Sequence, residues 1–351
     1  MRIDPFALEL ADPLVTAAGT IDAREGFTVT YRHRGERGVG EATPLPGWTE
    51  SLEACREALD RAAAAADEDA SDSDGSGHGP ALLELDAAET PAARHGFATA
   101  LLDADARADG VPLYRWFDAD AGTVSSVPVN ATVGDASVEA TVEAAEEAVD
   151  AGFEALKCKV GARSVAEDAR RLRAVREAVG EGVELRADAN AAYDRETARE
   201  ALEAFASADV SYVEQPLSAD DLAGHRELRE AAVDVALDES LVEHDPQTVF
   251  DADAADVLIL KPMVLGGPDS AHALATRARE RGIEPVVTTT IDGLIARTAA
   301  VHVAAAIPDV RACGLATADR LAVDLGPDPC PVADGTIPVP QPPGLGREVT
   351  L

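Results

Sequence analysis

From about residue 124 onward, short apolar runs alternate with longer amphipathic stretches at a spacing of about 25 residues, and few architectures accept that rhythm. The runs fall at 127–133, 155–160, 183–187, 210–214, 233–237, 257–260, 285–289 and 312–315. Each is short and apolar enough to be a strand covered on both faces, as the strands of a parallel sheet are. Seven helical patterns lie between them. Ser164-x-x-Glu167 has the form of a capping box at a helix start, and Gly152, Gly180 and Gly282 mark helix ends. Eight repeats, with no G-x-G-x-x-G after any strand, predict an α/β chain folded as a (β/α)7β TIM-like barrel over 119–325 rather than an open doubly wound sheet.

Residues 1–118 carry a different pattern, with strand-like stretches at 27–33 and 38–42 and helical ones at 52–66 and 91–109. This reads as an N-terminal α+β capping domain. The stretch 67–80, DEDASDSDGSGHGP, is too polar and too rich in Gly, Ser and Asp to bury anything and is expected to be a disordered insertion. The Pro- and Gly-rich segment 326–351 is expected to run back over the capping domain.

Charge narrows the function. The chain of 351 residues has 65 Asp and Glu against 30 Lys and Arg, a formal net charge of −35. Phosphate backbones and anionic membranes are bound by clustered cations, so nucleic acid and membrane are excluded as partners and small molecules are left. No apolar run reaches the roughly 20 residues of a membrane span, and the start MRIDPFALELADP lacks the charge and apolar core of a signal peptide, which places the chain in the cytoplasm. Cys55, Cys158, Cys313 and Cys330 show no C-x-x-C spacing, which argues against zinc and against a disulfide scaffold. No feature sets an oligomeric state. Of the 30 basic residues only Lys157, Lys159 and Lys261 are lysines. A large acidic excess that avoids Lys is suited to concentrated salt, where screening removes self-repulsion, and it predicts a halophilic source.

Reactive groups of such a barrel gather where the carboxyl ends of its strands meet. Read in order, those ends are Lys157-Cys158-Lys159, Arg186-Ala187-Asp188-Ala189-Asn190, Glu214-Gln215-Pro216, Asp238-Glu239-Ser240 and Lys261-Pro262. Five consecutive strands bring charge to one rim. Alternation along a strand puts Lys157 and Lys159 on one face, and likewise Arg186 and Asp188. Asp188, Glu214 and Asp238 offer a hard oxygen set suited to Mg²⁺, or Mn²⁺ in its place. Any one of these acids alone could equally be a solvated loop residue or a helix cap; as a set on successive strands they are not. A chain that uses Arg almost everywhere else keeps Lys where a titratable amine faces the acids. Arg cannot act as a base, whereas the pKa of Lys159 can be lowered by like charge from Lys157.

The order K-x-K, D-x-N, E-Q-P, D-E-S and L-K-P resembles the enolase superfamily, within it the muconate-lactonizing-enzyme subgroup. The sequence is most similar there to the o-succinylbenzoate synthase family, through Gly40-Glu41-Ala42-Thr43-Pro44-Leu45-Pro46-Gly47, Ala236 to Ser240, Thr288-Thr289-Thr290, Gly314-Leu315-Ala316-Thr317 and Pro343-Gly344-Leu345-Gly346. It departs from that pattern at Asp292-Gly293 and at Ala316. The resemblance implies a hydro-lyase of menaquinone biosynthesis acting on 2-succinyl-6-hydroxy-2,4-cyclohexadiene-1-carboxylate. Asp188, Glu214 and Asp238 would hold Mg²⁺ against an enediolate, Lys159 would be the base, and Lys261 would stay cationic against the substrate ring. Arg186, Asn190, Thr288, Thr289, Thr290, Gly314 and Leu315 would contact substrate, with residues 18–20 and 46–48 closing the mouth.

Three rivals stand beside this reading. Racemisation of N-succinylamino acids, dipeptide epimerisation or cycloisomerisation would use the same scaffold, with Lys159 and Lys261 as a two-base pair in an epimerase. A metal-independent lyase would use Lys261 as a Schiff-base amine and be trapped by borohydride. An acidic binding protein would take up Mg²⁺ without turnover.

Overall fold

A computed structural model describes residues 1–16, 19–69, 81–82 and 84–346. The chain opens with three antiparallel strands, β1 (Arg2–Thr16), β2 (Gly19–His33) and β3 (Glu36–Ala42), in the order β1-β2-β3. The sequence pattern did not show β1 and showed only the second half of β2. Two long helices come next, α1 (Leu52–Asp69) and α2 (Pro91–Ala108). Helix α1 carries on through 67–69, so the start of the expected insertion is helical; its remainder, 70–80, lies outside the described residues.

Helix α2 is buried from Pro91 to Ala106 apart from the half-buried Arg94, which requires cover on every side. One side is β3. A Cβ on Gly38 would lie 1.8 Å from the Ala100 carbonyl oxygen, and one on Gly40 would lie 1.9 Å from that of Gly96, so these glycines let strand and helix backbones touch. The other side is the second half of the chain, where Arg94 donates to Gly266 O at 2.6 Å and pairs with Asp269 at 2.8 Å.

After a short helix, α3 (Leu113–Phe117), the chain enters the strand–helix alternation: β4 (Ser126–Pro128), β5 (Ala131–Val133), α4 (Val138–Asp150), β6 (Ala155–Lys159), α5 (Val165–Val179), β7 (Glu184–Asp188), α6 (Arg195–Ala206), β8 (Val210–Glu214), α7 (Leu222–Leu228), β9 (Asp234–Leu237), α8 (Ser240–Glu243), α9 (Pro246–Ala252), β10 (Val257–Leu260), α10 (Pro268–Arg279), β11 (Glu284–Val287) and α11 (Leu294–Ala305). Seven strands form one parallel sheet in chain order, β5 to β11. Its two edges are joined by Cys313 and Gly314: Gly314 bridges Thr288 beyond β11, and Cys313 bridges Val129 before β5. The eighth strand is therefore reduced to a two-residue closure. The first expected strand splits, because Pro128 has no N–H to give the barrel, and β4 pairs outward and antiparallel with β12 (Thr336–Pro338). The capping box at Ser164 and Glu167 is formed.

The C-terminal run touches both parts of the chain. Beyond β12, Leu113 donates to Gly344 O at 2.9 Å, and Leu345 N donates to Asp103 of α2 at 2.8 Å. All four cysteines are buried, and among the described residues no helix is long and apolar enough to cross a membrane.

Candidate active site

The carboxyl ends of the barrel strands open on a cavity of about 890 Å³, roofed by Leu45 and Trp48 of the N-terminal lobe. Strand alternation sends Lys157 and Lys159 of β6 into it side by side, with Leu156 and Cys158 packed into the apolar core. Register does the rest: Lys159 lies opposite Asp188, and Asp188 opposite Glu214, so the ends of β6, β7 and β8 stand level. Asp238 follows β9 directly and Lys261 follows β10.

Four ion pairs link these groups. Lys157 Nζ lies 2.9 Å from Glu214 Oε1 and 3.1 Å from Asp188 Oδ2. Lys159 Nζ lies 2.6 Å from Asp188 Oδ2 and donates to Asn190 Oδ1 at 2.7 Å. On the far wall, Lys261 Nζ lies 2.6 Å from Asp238 Oδ2, with the Trp48 ring centre 3.5 Å away. The cation–π contact expected between Lys261 and a substrate ring is thus made, in this structure, by Trp48.

Charge at the rim is unbalanced. Burial works against the Lys157 ammonium, but Glu214 and Asp188 raise its pKa well above the ordinary lysine value. The two acids share that cation unequally. Asp188, although buried, is held far below the usual carboxylate range by Lys157 and Lys159, whereas Glu214 is pushed up to about 8 by burial and by repulsion from Asp188 and Asp238. Beside them Glu239 is raised by burial and then by Asp238, and its Oε2 is buried with no hydrogen-bond partner.

Among the described residues no three acidic, imidazole or thiol groups converge on one point, since each rim carboxylate turns to a lysine. The donor set nevertheless fits a hard divalent cation: three buried carboxylates on adjacent strands, an unpartnered Glu239 oxygen beside them, and a Glu214 anion that its neighbours disfavour and an added cation would favour.

The other expected site residues divide. Thr288, Thr289 and Thr290 line the cavity, and their hydroxyls are engaged with Gly314 O at 2.9 Å, Thr317 Oγ1 at 3.0 Å and Asp292 respectively. Asn190 lines it too and donates to Glu239 at 3.1 Å. Gly314 and Leu315 sit behind the wall, Leu315 fully buried. Arg186 is elsewhere: it points into the barrel below the rim, where it donates to Glu184 at 2.8 Å and to Ala312 O at 2.6 Å and lies over the Tyr212 ring. Alternation along β7 does not decide this, because an inward side chain can lie in the mouth or in the packed layer beneath it. Of the expected mouth residues, Trp48 is in place and residue 18 lies outside the described residues.

Sequence reasoning missed the frame behind the rim. Gln215 Oε1 accepts from the backbone N–H of Asp238 (3.0 Å) and Ser240 (3.2 Å), while its Nε2 donates to Ser240 Oγ and to Leu217 O. That one side chain fixes the end of β9 against β8. His225 backs it as a neutral ring, with Nδ1 donating to Asp221 O and Nε2 accepting from Leu217 N–H, and burial lowers its pKa to about 4.

Residues 140–350, more than half of the chain, match the family described as Enolase C-terminal domain-like. The chain belongs to the enolase superfamily. It is 40% identical over 219 residues to an o-succinylbenzoate synthase of Thermobifida fusca, covering 61% of this chain and 67% of that one. A second o-succinylbenzoate synthase, from Thermosynechococcus vestitus, is 32% identical over 84% of each chain. Among solved structures, the dipeptide epimerase of Enterococcus faecalis, in complex with Mg and the dipeptide L-Leu-L-Tyr, superposes with a TM-score of 0.82 at 25% identity, covering 98% of each chain. The α/β barrel and its strand-rich N-terminal lobe are those of this superfamily.

Proposed function

We propose that this enzyme is an o-succinylbenzoate synthase, a hydro-lyase that removes water from 2-succinyl-6-hydroxy-2,4-cyclohexadiene-1-carboxylate in menaquinone biosynthesis. The observation that carries the reading is the pair of lysines on opposite walls of one cavity: Lys159 is held by an acid and an amide, and Lys261 is held between an acid and an indole. Lys159 can take the α-proton and return it to the hydroxide leaving the same face, so that water departs with no second base. Lys261, pinned between Asp238 and Trp48, supplies fixed positive charge across the mouth. Asp188, Glu214 and Asp238 would hold Mg²⁺, with Mn²⁺ as a substitute, and the ion supplies positive charge to a substrate carboxylate as its neighbouring carbon loses a proton. Thr289 and the turn at Thr317 present hydroxyls for the succinyl end.

A two-base racemase or epimerase of N-succinylamino acids or dipeptides is the second reading, favoured by the near-symmetrical placement of Lys159 and Lys261 and by the likeness to a dipeptide epimerase. Loss of the cyclohexadiene absorbance separates the two. Wild type is expected to dehydrate the precursor rapidly and Lys159→Ala not at all. Wild type that leaves the precursor intact while racemising N-succinyl amino acids overturns the synthase reading.

We also infer that residues 1–118 form the capping unit and 119–325 the catalytic one, with 326–351 tying them together. The charge of −35 and the near-absence of Lys fit work in the concentrated salt of a halophile's cytoplasm.

A further inference from the structure

Helix α11 begins directly behind the cavity-lining run Thr288, Thr289, Thr290 and Ile291, and it lacks a cap of its own. Its N-cap residue is Gly293, which has no side chain to meet the first free N–H groups. Three N–H groups of this turn, those of Gly293, Leu294 and Ala296, are satisfied from elsewhere in the chain. Glu41, on β3 of the N-terminal lobe, accepts from Gly293 N at 2.7 Å through Oε1 and from Ala296 N at 3.1 Å through Oε2. Asp324 of the C-terminal run accepts from Leu294 N at 2.9 Å. The fit at Gly293 is tight: its φ of −69° suits any residue, yet a Cβ there would stand 2.9 to 3.1 Å from the Glu41 carboxyl group. Buried Arg24 of β2 holds the same turn, donating to Ile291 O at 3.3 Å as well as to Thr43 O and Pro44 O.

The lobe side of this contact leads straight to the other cavity wall. Thr43 donates to Glu41 at 2.6 Å, and Leu45 and Trp48, a few residues further on, roof the cavity. Glu41 therefore joins the two segments that face each other across the mouth.

We propose that Glu41 is a positioning residue for substrate: by capping helix α11 across the interface between lobe and barrel, it sets the Thr288–Ile291 wall against the Leu45–Trp48 roof. The proposal deepens the synthase reading and, for its kinetic part, rests on it. Full burial and then the nearness of Asp292 push Glu41 up to about 7, while Thr43 and the Ala296 N–H oppose the rise. The charged and titratable groups around it are Arg24 on β2, Asp292 on the turn, His95 on α2, whose Nδ1 lies 2.7 Å from Glu41 O, and Asp324. Near neutral pH the cap is therefore part-protonated and weaker than a full carboxylate.

Two measurements on the full chain test this. Amide hydrogen exchange across 288–296 is expected to quicken about tenfold in Glu41→Gln, and KM for the dehydration substrate to rise about tenfold with kcat within threefold. The wild-type KM should show an inflection near pH 7 that Glu41→Gln lacks. Gly293→Ala, which displaces the carboxylate without removing it, should give the same exchange and KM pattern, and it covers the case in which Glu41→Gln does not fold. Glu50→Gln is the control, since Glu50 caps α2 within the lobe by accepting from Ala92 N and Ala93 N and touches no part of 288–296. The proposal is overturned if Glu41→Gln and Gly293→Ala lose stability but leave exchange over 288–296 and KM unchanged, or if Glu50→Gln moves them equally. If wild type performs no dehydration, the synthase reading fails while the exchange comparison still decides the role of Glu41.

Discussion

Two glutamates one strand apart, at opposite ends of the barrel, have opposite fates. Glu184 opens β7 at the floor, and Glu214 closes β8 at the rim. Although burial opposes it, Glu184 is held down to about 2 by hydrogen bonds and charge from Arg186 and Arg311, with Ser211 adding a third donor. Both arginines lie over the Tyr212 ring, so two cations flank the one floor glutamate. Glu214 shares one lysine with Asp188 and is pushed up to about 8. An acid whose neighbours favour its charge holds a fold together, whereas an acid whose neighbours disfavour its charge holds a place for another positive charge.

The largest break in this comparison should come at the rim. Replacing Lys159 by Ala is expected to cut dehydration by about 10³-fold or more, as loss of a general base does, while the far-ultraviolet circular dichroism of the chain stays unchanged. Lys261→Arg keeps the charge and should leave a trace of dehydration; in a two-base epimerase it would stop epimerisation, with solvent deuterium still entering one enantiomer.

Metal sharpens the contrast next. Chelation should abolish turnover, and Mg²⁺ at a hundred times its dissociation constant should stabilise the folded chain by about 2.7 kcal/mol, since it binds the native state alone. In Asp238→Asn that rise in melting temperature should shrink sharply. An equal rise in wild type and Asp238→Asn would place the ion elsewhere.

At the floor the cost should fall on stability and spare the chemistry. Arg186→Met leaves Glu184 with one arginine fewer and should cost about 3 kcal/mol in denaturant unfolding, with KM unchanged. A raised KM at unchanged stability would return Arg186 to the substrate.

The smallest effect is the pH dependence of the floor. With a folded pKa near 2 and an ordinary value of 4.5, Glu184 contributes stability in full above about pH 4.5 and loses it as pH falls toward 2. The gap in melting temperature between wild type and Glu184→Gln should therefore close as the solution is acidified through that window.

Much of the barrel was legible in the chain because apolar runs mark its parallel strands, and the charged residues at the carboxyl end of each run mark its reactive rim. Lys157, Lys159 and Asp188 stand where period-two alternation puts them, and Glu214, Asp238 and Lys261 stand at or just past the ends of their strands. Other features had no local signal. The first expected barrel strand breaks at Pro128, and its outer piece pairs with β12, some 200 residues further on. Arg186 has the same inward phase as Asp188, and only depth within the barrel separates a floor residue from a rim residue.

By itself the sequence determined which residues alternate, which face inward, and which carry an amine or an acid, because these properties arise from local periodicity and side-chain chemistry. Tertiary structure decided how charge is shared. That Asp188 takes the low pKa and Glu214 the high one, that Trp48 covers Lys261, and that Glu41 caps a helix some 250 residues away all depend on distances between segments far apart in the chain. Coulomb and desolvation energies change steeply over a few ångströms inside a protein, and no local pattern encodes those distances.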